Sequence, residues 1–289
     1  MPNLISVIVT TYERADALDA VLRSLARQSD RRFEVVVADD GSGPDTAALI
    51  ECWKPKLGVP LARVWQKHDG FRAAEIRNRA LLSAHGDYCV FLDGDCIVRP
   101  DFIAMHRRLA EAGWFVTGNR VLLSETLTTA VLRDGLQPEN WTVADWIARR
   151  AQGGVNRLAA LFHLPLGPLR KREAGKWEGA RSCNLAVWRR DLDAVDGFDA
   201  SFQGWGREDS DLLVRLLHAG VKRKDGRFAT GVVHLWHAPA DRTQLNTNDA
   251  RLDVVLRCGR TRADRGLSGL RDAARSAPQA EYGDVKAQP

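Results

Sequence analysis

The chain has 289 residues, 45% hydrophobic and 27% charged, which suits one large or two small soluble domains with a real core. Its net charge of +5 and pI near 9.1 fit an anionic ligand, such as a nucleotide diphosphate or a membrane surface. They fall short of the dense Lys/Arg patterning that nucleic-acid binding requires, so no nucleic-acid partner is expected.

Residues 4–9 are apolar and β-branched and predict a central strand running into Thr10-Thr11-Tyr12-Glu13-Arg14. Asp16 is placed to cap a helix over 17–28, with Leu18, Val21, Leu22 and Leu25 as its apolar stripe. A second strand, 33–38, ends in Asp39-Asp40-Gly41-Ser42, and a helix near 46–53 and a short strand near 62–65 follow. This alternation predicts a parallel sheet wound with crossover helices, whose ligands gather beyond the carboxyl ends of the strands. Tyr12, Asp39 and Asp93 all follow strands and should converge on one crevice.

Residues 68–80 read as a loop entering a helix, with Arg72 and Arg77 near an anion at its N-terminus or simply on a basic helix face. The apolar run 88–92 then ends abruptly in Asp93-Gly94-Asp95. Carboxylates at the end of a buried strand need a positive partner, and a hard divalent cation is the simplest one. The glycine permits a turn that aims both side chains at one point. The plain alternative is a turn with solvated aspartates. A helix opening at Pro100-Asp101-Phe102 and a strand over 114–117 complete this half.

Residues 123–177 interleave aromatic and apolar side chains with arginines, and Gly153-Gly154, Pro165 and Pro168 break the helical pattern. They read as a mobile flap over the crevice, as a basic aromatic surface resting on an anionic membrane, or as a small helical subdomain with a solvated rim. A strand over 184–188 and a short helix over 191–196 lead to Gly204-Trp205-Gly206-Arg207-Glu208-Asp209, where acidic residues open a helix that ends at Gly220. A tryptophan between glycines can swing and stack on a sugar face. Next, 232–237 carries His234 and His237, whose i, i+3 spacing lets two imidazoles converge on a metal if the chain turns. Beyond Leu256 the pattern fades, and the tail is expected to be partly disordered. Five cysteines with no C-x-x-C pair, no apolar stretch of membrane-spanning length and no signal-peptide features point to a reducing, cytoplasmic setting.

Taken together, Val7-Ile8-Val9-Thr10-Thr11-Tyr12, Asp39-Asp40-Gly41-Ser42 and Asp93-Gly94-Asp95 resemble the family 2 glycosyltransferases of the GT-A fold. Gly197-Phe198-Asp199, Gly204-Trp205-Gly206-Arg207-Glu208-Asp209 and His234-Leu235-Trp236-His237 are similar to the galactosyltransferase C-terminal region shared by animal β1,4-galactosyltransferases and bacterial chondroitin-type polymerases. The resemblance implies an α/β, Rossmann-like, mixed but mostly parallel central sheet flanked by helices. It implies a nucleotide-sugar-binding half (1–120), a helical or flap insertion facing acceptor or membrane (121–178), an acceptor-binding catalytic half (179–258) and a tail (259–289). Thr10, Tyr12 and Asp39 would hold base and ribose, Arg77 the diphosphate, and Glu13, Arg72 and Gly94 would complete the donor site. Asp93 would touch ribose or metal, and Asp95 with His237 and His234 would ligate Mn²⁺ or Mg²⁺. Trp205 would line the donor–acceptor junction, Asp209 would be the general base and Glu208 would orient the acceptor. Ser210 stands where related galactosyltransferases often carry another acid. The implied reaction is inverting sugar transfer from a UDP-sugar to a saccharide or lipid-linked saccharide, in polysaccharide or cell-envelope assembly, with peripheral contact at the inner membrane face. A nucleotidyltransferase is disfavoured by the lack of glycine and lysine in the first loop. A non-catalytic saccharide-binding module is disfavoured by the intact acidic sets.

Overall fold

A computed structural model describes residues 1–159 and 162–276. Residues 160–161 of the expected flap and 277–289 of the expected tail lie outside the described residues. In chain order the elements are β1 (Ile5–Thr11), α1 (Ala15–Ala26), β2 (Phe33–Asp39), α2 (Pro44–Leu57), β3 (Leu61–Trp65), α3 (Ala73–Ser83), β4 (Tyr88–Asp93), β5 (Cys96–Val98), α4 (Phe102–Leu109), β6 (Trp114–Thr117) and β7 (Arg120–Leu122). They continue with α5 (Glu125–Arg133), α6 (Val143–Ala151), β8 (Asn184–Trp188), α7 (Arg189–Ala194), α8 (Glu208–His218), β9 (Lys222–Asp225), β10 (Val232–His234), α9 (Leu245–Cys258) and α10 (Leu267–Ser276).

Seven strands form one sheet in the order β3-β2-β1-β4-β8-β6-β9. The first four are parallel to one another, which accounts for their continuous Val/Ile runs: both faces of such strands are covered by helices. Ile5, Val7, Val9, Leu18, Val21, Leu22 and Leu25 close one face, and Ile8, Phe91, Ile76 and Leu81 the other. The expected mixed, mostly parallel sheet flanked by helices is therefore present. Its antiparallel member is β8, inserted between β4 and β6 and antiparallel to both.

A second sheet, β5-β10-β7, sits on its own small core. Its β5 leaves the main sheet two residues after β4 ends, and β10 pairs antiparallel to it with His234 opposite Cys96. This pairing brings His234 to Asp95 from a distant part of the sequence.

One expectation is corrected. Asp16 does not cap α1; Arg14 is the flanking residue, and Asp16 sits in the first turn, 2.9 Å from the Arg14 guanidinium. Of the expected tail, the residues up to 276 are described and include α10. α10 buries Leu267 completely against the α3 side of the core, and the Asp196 carboxylate accepts the N–H and hydroxyl of Ser268. Among the described residues no helix is long and apolar enough to cross a membrane.

Candidate active site

The crevice lies where β1, β2 and β4 end. Gly94 donates its N–H to the Thr10 carbonyl at 2.7 Å, pinning the Asp93-Gly94-Asp95 turn beneath β1. A Cβ at Gly94 would stand 2.9 Å from that carbonyl oxygen and 3.0 Å from Thr11 Cβ. The glycine is therefore required by close approach of two backbones rather than by an unusual dihedral.

Beyond the turn, Asp95 meets both histidines. His234 Nε2 is 3.6 Å from Asp95 Oδ1, and His237 Nε2 is 3.5 Å from Oδ2. Ligating atoms of the three residues lie within 4.8 Å of one another. These separations exceed hydrogen bonds and match the spacing of ligands around one shared cation. Burial lowers the His234 pKa against the opposing pull of Asp95, so its imidazole is neutral at pH 7, as a metal ligand must be. One carboxylate and two imidazoles suit Mn²⁺, and this donor set fits the expected divalent ion.

Asp93 points the other way, to Arg77. The Arg77 side chain is almost entirely buried; its Nε donates to Thr10 Oγ1 at 3.1 Å, Nη1 to Glu208 at 3.0 Å and Nη2 to Asp93 at 3.4 Å. Burial opposes the charged form of Arg77, but Glu208 and Asp93 outweigh it and hold its pKa above the usual arginine value. Burial, with Asp209 alongside, raises the Glu208 pKa while Arg77 opposes the rise. Asp93 keeps 32% of its side chain exposed, yet desolvation raises its pKa too, with Arg77 opposing and Asp95 adding. Arg77 thus joins residues from the two halves of the chain, with its donors on Thr10, Glu208 and Asp93.

Asp209, in the first turn of α8, accepts the Ser210 N–H at 2.7 Å and the Ser182 N–H at 3.3 Å. Gly204 and Gly206, at φ of +73° and +105°, turn the chain around Trp205. Arg242 lies over the half-buried Trp205 ring at 4.9 Å, which packs one face of the indole.

Around β2 the site is closed. Asp39 is fully buried; its Oδ2 accepts from Arg63 at 2.6 and 2.9 Å and its Oδ1 from the Ser42 N–H at 2.8 Å. Asp39 thus anchors Arg63 and the Ser42 turn at the strand end, and its expected contact to a base stays a proposal. Asp40 accepts from Gln66 and from the Arg72 N–H, so the Arg72 backbone is a fixed corner of the loop, while its side chain pairs with Glu75. Glu13, at φ +48°, accepts the Gly43 N–H and donates its own N–H to Ser42 Oγ, tying the first loop to the second. Tyr12 remains 45% exposed and stacks on His68, centroids 4.4 Å apart, which leaves a flat aromatic shelf beside the crevice.

Sequence reasoning missed Arg63, His68, Ser182 and Arg242. Only Arg63 carried a readable signal, a cation inside an apolar strand.

The sequence model described as glycosyl transferase family 2 matches residues 6–163, and one described as the N-terminal domain of galactosyltransferase matches 171–238. Relatives include the validoxylamine A glucosyltransferase of Streptomyces hygroscopicus subsp. jinggangensis, 29% identical over 279 residues, covering 89% of this chain and 60% of the relative. The hyaluronan synthase of Pasteurella multocida is 31% identical over 247 residues, 78% of this chain and 24% of that one. This chain therefore spans less than two thirds of either relative's length. The crystal structure of GalNAc-T7 with UDP, GalNAc and Mn²⁺ superposes with a TM-score of 0.63 at 16% identity, over 88% of this chain and 48% of that one, which shows a shared GT-A fold. With a family match over more than half its length, this chain belongs to glycosyl transferase family 2.

Proposed function

We propose that the chain transfers a glycosyl group, with inversion, from a UDP-sugar to a hydroxyl of a saccharide or lipid-linked saccharide. The observation that carries this reading is the bridge from Asp93 through Arg77 to Glu208, beside the Asp95–His234–His237 cluster. The link through Arg77 from the start of α8 to the strand end that precedes Asp95 supports one site shared by the two halves of the chain. In the first half Thr10, Tyr12 and His68 form a wall suited to a base and ribose, with Arg63 presented by Asp39.

Asp209 is the general base: its carboxylate, aimed by two backbone N–H groups, takes the acceptor hydroxyl proton as that oxygen attacks the anomeric carbon. The bond to the diphosphate oxygen breaks as the new glycosidic bond forms, so no covalent sugar–enzyme intermediate is needed. Glu208, held in place by Arg77, accepts from a second sugar hydroxyl and sets the ring's orientation. Trp205 supplies an apolar face at the junction. Asp95, His234 and His237 would hold Mn²⁺ or Mg²⁺, which when bound supplies positive charge against the departing diphosphate. Relatives named for glucosyl transfer and hyaluronan synthesis, and a fold neighbour holding UDP, GalNAc and Mn²⁺, support a UDP-hexose or UDP-N-acetylhexosamine donor. The domain division 1–120, 121–178 and 179–258 belongs to this proposal: donor half, insertion and acceptor half.

The test is UDP release from a panel of UDP-sugars, with and without Mn²⁺, in wild type and Asp209→Asn. We expect metal-stimulated release for at least one donor. Asp209→Asn is expected to lower transfer about 10²- to 10⁴-fold while UDP still binds. Near-normal rates in that variant remove Asp209 from the role.

A further inference from the structure

The 121–178 segment carries a surface that the catalytic reading leaves unused. On α6, Val143 and Ile147 stand one turn apart and are 59% and 53% exposed, and Arg150 follows on the same face a turn later. Trp146, on the adjoining face, is buried in the small core and holds the helix down. Phe162, 46% exposed, joins Val143 and Ile147 around a cavity of about 90 Å³ that Trp141 and Trp146 also line. Arg149 lies over the Trp141 ring at 5.3 Å, and Arg157 precedes the cavity-lining Leu158. Arg149 contacts Gln152 and Arg157 donates to the Arg120 carbonyl, so among the described residues neither is paired within 4.0 Å of a carboxylate.

Exposed apolar side chains edged by arginines complement an apolar layer capped with negative charge. We propose that this face docks on an anionic lipid bilayer. Val143, Ile147 and Phe162 enter the boundary between headgroups and acyl chains, and Arg149, Arg150 and Arg157 lie at the lipid phosphates. The cavity itself does not admit an acyl tail. Glu139 lines it, with a fully buried side chain facing Arg23 of α1 and Arg27 just after α1 at 3.7 and 3.8 Å. A paired carboxylate in that position opposes burial of hydrocarbon against it, so the contact is interfacial.

The experiment is co-sedimentation of the full chain with vesicles of phosphatidylcholine alone or mixed with phosphatidylglycerol. Neither donor nor acceptor is present, so the outcome is independent of glycosyl transfer. Binding is expected only to the anionic mixture and is expected to weaken at high salt. Each Arg→Gln change among the three should lower the partition about five-fold. Val143→Glu with Ile147→Glu should abolish binding with an unchanged circular dichroism spectrum, because both side chains are exposed. Wild type left in the supernatant with both vesicle types overturns the proposal, as does equal binding by the variants. A concentration-dependent dimer that these variants dissociate, without any vesicle binding, assigns the face to a second copy and also overturns it.

Discussion

Strands β2 and β4 belong to the same sheet and both end in a pair of aspartates beside a glycine, yet the outcomes are opposite. After β2 the protein satisfies its own carboxylates: Asp39 with Arg63 and Ser42, Asp40 with Gln66 and Arg72. After β4 it does so only by half. Asp93 is given to Arg77, whereas Asp95 faces two imidazoles at distances too long for hydrogen bonds. A strand ending in acids is therefore not a ligand site by itself. What distinguishes the two is whether a cation from the chain already occupies the focus. Arg63 does so on β2, and on β4 the corresponding place is framed by nitrogen and oxygen donors.

The largest effect expected from this contrast concerns Asp95. Asp95→Ala should lower metal-stimulated turnover at least about a thousand-fold, equivalent to several kcal/mol of barrier, and remove the Mn²⁺ dependence of UDP binding. Its thermal midpoint should barely move in metal-free buffer. An unaltered Mn²⁺ response would break the comparison at its open end. Next comes Asp39→Asn, which leaves Arg63 without its charge partner and should cost about 2–3 kcal/mol in urea unfolding, with the Mn²⁺ response preserved. If it instead abolishes UDP binding at unchanged stability, the β2 end is a ligand site after all. The smallest effect is expected from Gly94→Ala. Its added methyl forces the β4 turn away from Thr10, at about 1–2 kcal/mol of stability and with a weaker apparent affinity for Mn²⁺ as Asp95 moves with the turn.

Much of this was legible in the residues. The Val/Ile runs and their abrupt polar ends gave β1, β2 and β4, because a parallel strand covered on both faces must be apolar throughout. Asp95, His234 and His237 were legible as candidate ligands because few residue types bind cations. Their meeting was not, since it depends on β10 pairing with β5 in a sheet that local patterning does not announce. The Arg77–Glu208 pair escaped for the same reason: it joins α3 to α8, and an arginine on a helix reads as solvated until its surroundings are known. α10 was missed because one buried leucine in an Arg/Ser/Gly-rich segment carries almost no periodic signal; Leu267 and the Ser268–Asp196 bonds seat it together.

The register of the small sheet has one more consequence. His234 reaches Asp95 through a backbone ladder, so an ion held there is a removable cross-link between an early and a late stretch of the polypeptide. An ion that bound the assembled site and not the unfolded chain would stabilise the fold by mass action, because both stretches must meet before the three ligands converge. Amide exchange in β5 and β10 should slow on adding Mn²⁺, while the far edge at β3 stays as it was.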